Sequence, residues 1–294
     1  MEVRFWGVRG SIAAPGPSTL RTGGNTSCVE INWLDHFKEG QRQRLMLDAG
    51  TGIRSAGAAL ASTSAPESPL EITLCLSHLH WDHIQGLPFF APLYRANTRL
   101  TIYGPGASDS ELENALMTQM GAPGFPVPWH ALPAQIHLQA LRGGERFQVG
   151  EAEVTCRALN HPGGVLAYRI DQANQSVVYA TDTEHGAEMD ETLLSLAEGA
   201  DALIYDAMYT EAEYRGTPGR PPRVGWGHST WQAGAQVAHA ARVGRYVLFH
   251  HDPVRDDAQV DALESAAREV FPGTLAAREG LALSLGRDPE RRVA

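Results

Sequence analysis

The chain has 294 residues, is 43% hydrophobic and carries a formal charge of −10 at neutral pH. That length fits a single layered α/β domain whose core needs no disulfide staples. The acidic balance argues against broad, non-specific nucleic-acid binding, which needs a basic footprint, but allows a small phosphate held by a few arginines. Lys38 is the only lysine, which speaks against a Schiff-base or phosphate-loop lysine. Cys28, Cys75 and Cys156 are isolated, so neither a disulfide framework nor a cysteine zinc knuckle is expected. The opening Met1 to Trp6 reads as a strand and not as a signal peptide, and no apolar run approaches the roughly 20 residues of a membrane span. The expectation is a soluble, cytoplasmic protein.

In chain order, Val3 to Gly7 alternates as a strand and is broken by Gly7-Val8-Arg9-Gly10-Ser11. Gly23 to Ser27 turns into a second strand, Cys28 to Trp33. Arg42 to Arg44 reads as a hairpin tip, and Leu45 to Leu47 as a third strand ending in Asp48-Ala49-Gly50. Ile53 to Ala61 is an alanine-rich helix, and Ser62 to Pro69 a loop. The apolar run Ile72 to Leu76 reads as a buried strand. Ile84 to Leu93 follows as a short amphipathic helix. Leu100 to Tyr103 is a strand, and Ser110 to Met120 a helix with a capping-box start at Ser110 and Glu113. Proline density excludes regular structure from Gly121 to Trp129. That insert, about 121–134, either carries Phe125 and Trp129 to the mouth of a site or is a surface connector. Strands follow at Ile136 to Leu141, Arg146 to Val149, Val154 to Leu159 and Val165 to Ile170.

A recurrent pattern then sets in. Val177 to Ala180 ends at Thr181-Asp182-Thr183, Ala202 to Tyr205 ends at Asp206, and Tyr246 to Phe249 ends at His250-His251. Earlier, Val154 to Leu159 ends at Asn160-His161, and Ile72 to Leu76 at Ser77-His78-Leu79-His80-Trp81-Asp82-His83. Ligand sites of open α/β sheets lie at such strand ends. His78 and His80, two apart in an extended loop, point to one side, and Asp82 and His83 can turn to a second point nearby. Three imidazoles and a carboxylate in six residues suit zinc, with manganese and iron as competitors.

His-x-His-x-Asp-His after a hydrophobic strand resembles the signature of the metallo-β-lactamase-fold hydrolases. The resemblance covers nearly the whole chain. It implies an αββα sandwich, two mixed sheets packed face to face with helices outside, in two internally similar halves and one domain. It also implies two divalent metal ions per chain, zinc ahead of manganese or iron. His78, His80 and His161 match the ligands of the first metal. Asp82, His83 and one of His250 and His251 match those of the second, with His250 favoured by its register and His251 left to face the substrate or a neighbouring ligand. Asp182 matches a bridging carboxylate. Two such metals acidify water near neutral pH and clamp both oxygens of a displacement. Asp48 is either a partner to a metal-bound histidine or a plain turn cap.

Gly227-His228-Ser229-Thr230 resembles the His-Ser-Thr segment of ribonuclease Z and related phosphodiesterases, with Ser229 expected to cap a helix from Thr230 to Arg242. In those families the histidine is a proton donor, here His228, oriented by an acid, here Asp206. His185 is expected near the site. Arg215, Arg220 and Arg223 in the loop 209–227 either fork onto a phosphate or belong to a solvated loop. His36, His130, His137 and His239 lie off the pattern. The implied activity is hydrolysis of a phosphodiester, a small nucleotide or cyclic phosphate, by metal-activated water with His228 as general acid and Asp82 among the catalytic groups. The alternatives are a ribonuclease Z-like tRNA 3′ endonuclease and a non-catalytic metal-binding module. A lysine-rich arm and an extra cysteine-bearing zinc site, as in the phosphonate-pathway phosphodiesterase, are not suggested. A homodimer is compatible with the family.

Overall fold

The computed structural model describes residues 1–34, 42–63 and 68–286. Among the described residues, fourteen strands form two seven-stranded sheets. The first is built from β1 (Glu2–Gly7), β2 (Cys28–Leu34), β3 (Arg42–Leu47), β4 (Leu70–Cys75), β5 (Thr98–Pro105) and β6 (Gln135–Leu141). The second contains β7 (Arg146–Val149), β8 (Ala152–Leu159), β9 (Val165–Gln172), β10 (Gln175–Ala180), β11 (Ala202–Asp206), β12 (Arg245–Phe249) and β13 (Thr274–Ala276). The chain then returns to the edge of the first sheet as β14 (Ala282–Ser284), beside β1.

The sheets are mixed in the same way. The first runs β14-β1-β2-β3-β4-β5-β6, antiparallel as far as β3 and parallel from β3 to β6. The second runs β7-β8-β9-β10-β11-β12-β13, antiparallel as far as β10 and parallel from β10 to β13. So β3 and β10 are equivalent switch strands, and each is followed by an aspartate at positive φ, Asp48 and Asp182. Sheet edges where strand direction and order change leave a crevice at the strand C-termini.

The layers follow from period-two alternation. In β3, Leu45 and Leu47 face the space between the sheets, while Met46 faces the helical layer. In β10, Val177 and Tyr179 point inward and Val178 and Ala180 outward. Both faces of these central strands are therefore covered, which is why they read as continuous apolar runs. The outer layer of the first sheet is α1 (Ile53–Thr63), the single turn α2 (Trp81–Ile84) and α3 (Asp109–Met117). That of the second is α4 (Glu191–Ala197), α6 (Trp231–Ala240) and α7 (Asp257–Val270), with the short α5 (Glu211–Arg215) beside the site. Among the described residues, no helix is long and apolar enough to cross a membrane.

Local expectations are corrected at five places. Arg42–Leu47 is one strand, so Arg42 to Arg44 is not a hairpin tip, and the connection at 35–41 lies outside the described residues, with His36 in it. Residues 62 and 63 still belong to α1, and 64–67 lie outside the described residues. Ile84 to Leu93 is no continuous helix: Pro88 and Pro92 lack donors and restart the chain as 3-10 turns at Leu87–Phe89 and Ala91–Tyr94. The cap of α3 is Ser108, whose hydroxyl accepts from the Glu111 N–H, and not Ser110. Thr230, not Ser229, caps α6 by accepting from the Ala233 N–H at 3.1 Å.

Leu47 is fully buried between the sheets, directly before Asp48. Leu47→Ala should cost about 2–5 kcal/mol, read as a lower midpoint with an unchanged slope in urea unfolding.

Candidate metal centre

The site lies at the C-terminal ends of β4, β10, β11 and β12 and in the β8–β9 loop. Its backbone is held in an uncommon conformation. Six described residues other than glycine have positive φ, and Ser11 (61°), Asp48 (61°), Asp182 (50°) and His250 (58°) are all at this centre. Each costs of order 1–3 kcal/mol unless surrounding contacts enforce it, and such strain gathers at functional sites. Gly10 is tight against the centre, since a Cβ there would lie 2.3 Å from His250 Cε1.

Donor atoms converge in three groups, of which the third, Asp182, Asp206, His228 and His250, overlaps the second. The first is His78, His80 and His161. His161 Nε2 lies 3.1 Å from His80 Nδ1, and His78 Nε2 is buried with no hydrogen-bond partner. The second is Asp82, His83, Asp182 and His250. His83 Nε2 lies 3.2 Å from His250 Nε2, 3.2 Å from Asp82 Oδ2 and 3.3 Å from Asp182 Oδ1. His250 Nε2 is 3.2 Å from both of those oxygens. A regular tetrahedron with corners about 3.3 Å apart has its centre about 2.0 Å from each, the bond length of zinc to imidazole nitrogen or carboxylate oxygen. Asp182 gives Oδ1 to this group while its Oδ2 is 3.8 Å from His78 Nε2, so one carboxylate faces both. These donors fit divalent cations.

The electrostatics agree. Burial alone would raise the Asp182 carboxyl, but the adjacent His250 and His83 outweigh it and hold it well below the usual carboxylate range. Burial together with neighbouring imidazoles holds His78 low, and burial lowers His161, so both offer lone pairs. For His83, three carboxylates, Asp182, Asp82 and Asp48, outweigh burial and favour a positive charge at the ring. A cation on Nε2 would take the place of that proton.

Two of the imidazoles, His83 and His161, are aimed from behind. His83 Nδ1 donates to Asp48 Oδ2 at 2.7 Å, and Asp48 also accepts from the Ser77 N–H, the Ser77 hydroxyl and the Tyr179 hydroxyl. His161 Nδ1 donates to the Gly227 carbonyl at 2.8 Å. Asp82 Oδ2 accepts from the Ser11 N–H at 2.7 Å. His228 stands beside the second group. Its Nδ1 is 2.8 Å from Asp206 Oδ2, and its ring stacks 5.0 Å from that of His250. Burial alone would lower it, but Asp206 reverses the balance and raises it to about 9. Asp206 is itself fixed by the Met208 and Ser229 N–H groups.

The remaining expected residues divide. His185 supports the site from below, with Nδ1 3.0 Å from the Ser229 hydroxyl and its ring 4.4 Å from that of Tyr214. Arg223 comes within one residue of His228: it pairs with Asp252 at 3.0 Å and lies over Tyr209, whose ring edges against His228. Arg215 is exposed and paired with Glu211, and Arg220 is exposed. His251 faces away from the centre. Its Nε2 donates to the Ala277 carbonyl, and burial first, then nearby arginines, lower it to about 3. Trp129 is not at the mouth but buried in the helical layer, with its indole N–H on Glu113. Phe125 packs edge-on against Phe89.

Three residues escape a reading of the sequence. Glu184 accepts from the N–H groups of Gly225 and Gly227 and the Tyr214 hydroxyl. It thereby ties the His228 loop to the strand end that carries Asp182. Arg9, fully buried, donates to the carbonyls of Gly23, Asp252 and Arg255 and pins the Ser11 loop to the His250 loop. Ser11 acts through its backbone, which no side-chain pattern reports. The only local signals were an Ala-Thr-Asp-Thr-Glu-His segment and a Gly-Val-Arg-Gly-Ser segment outside regular structure.

With this fold and these donor groups, the chain belongs to the beta-lactamase superfamily domain family, whose model matches residues 43–251. A ribonuclease Z of Synechococcus sp. (strain CC9902) is 26% identical over 267 residues, covering 71% of this chain and 79% of that protein. Among solved structures, the metallo-beta-lactamase fold protein YhfI from Bacillus subtilis matches with a TM-score of 0.68 at 20% identity over 96% of this chain and 98% of that one. Human tRNase Z, short form, matches with a TM-score of 0.64 at 19% identity over 98% and 100%.

Asp48→Asn keeps the shape but cannot accept from His83 as a carboxylate. It should weaken metal binding about 10- to 100-fold, measured by competition with a chromophoric chelator. Glu184→Ala should weaken it by a smaller factor, because it loosens the Gly227 carbonyl that orients His161.

Proposed function

We propose that the chain is a dinuclear metal-dependent phosphodiesterase. In this reading His78, His80 and His161 hold one cation, Asp82, His83 and His250 hold the other, and Asp182 serves both. The substrate is a phosphodiester of a small nucleotide. The observation that carries the reading is His228, whose Nδ1 lies 2.8 Å from Asp206 Oδ2, a carboxylate that favours the charged ring, and whose ring stacks against His250 of the second donor group.

Two divalent cations, when bound, neutralise phosphoryl charge and make water a better nucleophile. The chain's residues do the rest. His228 donates a proton from Nε2 to the oxygen whose bond to phosphorus breaks, while water supplies the oxygen of the new bond. Asp206 accepts from Nδ1–H throughout, fixing the tautomer and stabilising the imidazolium before transfer. Asp48 and the Gly227 carbonyl keep His83 and His161 presenting Nε2. Arg223, held by Asp252 and Tyr209, is the one arginine of its loop positioned to steer an incoming anion.

A second reading, a ribonuclease Z-like endonuclease acting on tRNA, is favoured by the relatives that carry that name. Both readings share hydrolysis of a phosphodiester bond. The net charge of −10 favours the smaller substrate, because a long polyanion needs basic surface. A non-catalytic metal module would have no use for a protonated histidine beside the donor groups.

His228→Ala should lower kcat on bis(p-nitrophenyl) phosphate about 10²- to 10⁴-fold with metal content unchanged; equal turnover would remove the acid role. Turnover should also fall as pH rises, with a limb no higher than about 9, since bound cations add positive charge beside the ring. Asp206→Asn should shift that limb downward. In the metal-free protein, His228 has a folded pKa above its unfolded one. It therefore contributes stability in full below its ordinary value of about 6.5, and the contribution is lost as pH rises through about 9. Thermal melts across that window should show the loss in the wild type and not in Asp206→Asn.

A further inference from the structure

Two large aromatic side chains beside the centre have no part in the fold. Trp81 is 76% exposed and Trp226 is 60% exposed. Among the described residues, neither indole donates a hydrogen bond or packs against another ring. Exposing an indole forgoes a large burial gain, so a pair of them at one place calls for an explanation.

Their place is fixed by the chain. Trp81 lies between His80 and Asp82, at the start of α2 on the first sheet's side. Trp226 is one residue before Gly227, whose carbonyl accepts from His161 Nδ1 at 2.8 Å. His161 Nε2 in turn is 3.1 Å from His80 Nδ1. His80 is exposed, whereas the other six imidazoles and carboxylates of the His78 and His83 groups are buried. The centre therefore opens at His80. A line of chain neighbours and contacts, Trp226, Gly227, His161, His80, Trp81, links the two exposed tryptophans through that opening.

We propose that Trp81 and Trp226 are stacking platforms for two nucleobases, one on each side of the scissile phosphate. The preferred substrate class is then a single-stranded dinucleotide or the end of a short oligonucleotide. The chemistry favours bases over other flat or apolar groups. A diester held at the donor groups carries two substituents that leave phosphorus in different directions, matching two platforms. Stacking draws on no positive charge, so it suits a chain of net charge −10 that cannot grip a polyanion along its backbone. It also tolerates any base sequence.

The inference rests on the phosphodiesterase reading but is tested separately from it. Binding of ribose 5-phosphate, adenosine 5′-monophosphate and the dinucleotide ApA to the metal-loaded protein is compared by calorimetry, at a pH and time where ApA is intact or as its phosphorothioate. Each added base should tighten binding about 5- to 150-fold, the equivalent of about 1–3 kcal/mol of stacking per base. Trp81→Ala and Trp226→Ala should each remove one of these steps, and the phenylalanine variants should retain most of it. A wild type that does not distinguish the three ligands, or alanine variants that keep both steps, would overturn the inference. Turnover of bis(p-nitrophenyl) phosphate is measured alongside. Base-dependent binding without turnover would reject the phosphodiesterase reading and keep the platforms; turnover without base dependence would do the reverse.

Discussion

Four donor atoms from Asp82, His83, Asp182 and His250 converge in a buried space, five of their separations being 3.2–3.3 Å. Lone pairs and negative charges do not gather in this way in a low-dielectric interior unless a positive charge joins them. Much of the surrounding structure acts to enforce that convergence. Aspartates at positive φ follow both switch strands. Asp48 accepts three hydrogen bonds, two from Ser77 and one from Tyr179, that hold the oxygen it presents to His83. Arg9, buried, uses its guanidinium on backbone carbonyls to join two loops.

The architecture makes such a centre affordable. Each sheet changes from antiparallel to parallel at an equivalent strand, and the two changes meet at one end of the sandwich. The ligand-bearing loops leave strands whose both faces are packed, so their starting points are rigid. The first sheet contributes the compact His78 to His83 turn. The second contributes single residues from separate loops, and Glu184 couples two of those loops through three hydrogen bonds.

The strand core and the donor residues were legible in the sequence because both are local signals. Apolar runs with a polar residue at the end mark central strands, and His78 to His83 carries half of the donors within one turn. His250 could be preferred over His251 only from strand register; in the structure His250 joins the second donor group, while the adjacent ring turns to Ala277 and the arginines behind it. What remained hidden depends on distant partners. Glu184 and Arg9 look like ordinary surface charges until the loops they join are adjacent. The arginines of the 209–227 loop look alike in sequence, yet only Arg223 finds Tyr209 and Asp252. The sequence suggested Ser110 as the cap of α3, but the cap is Ser108, from which the helix starts with Glu111 in reach.

The account stands on two cations sharing Asp182. The most direct test is metal stoichiometry during stepwise reloading of the metal-free protein with zinc, followed by elemental analysis after gel filtration. Two tightly held ions per chain, falling to fewer than two in Asp182→Ala, are what the account predicts. One ion or none per wild-type chain, or full loading of Asp182→Ala with wild-type affinity, would contradict it.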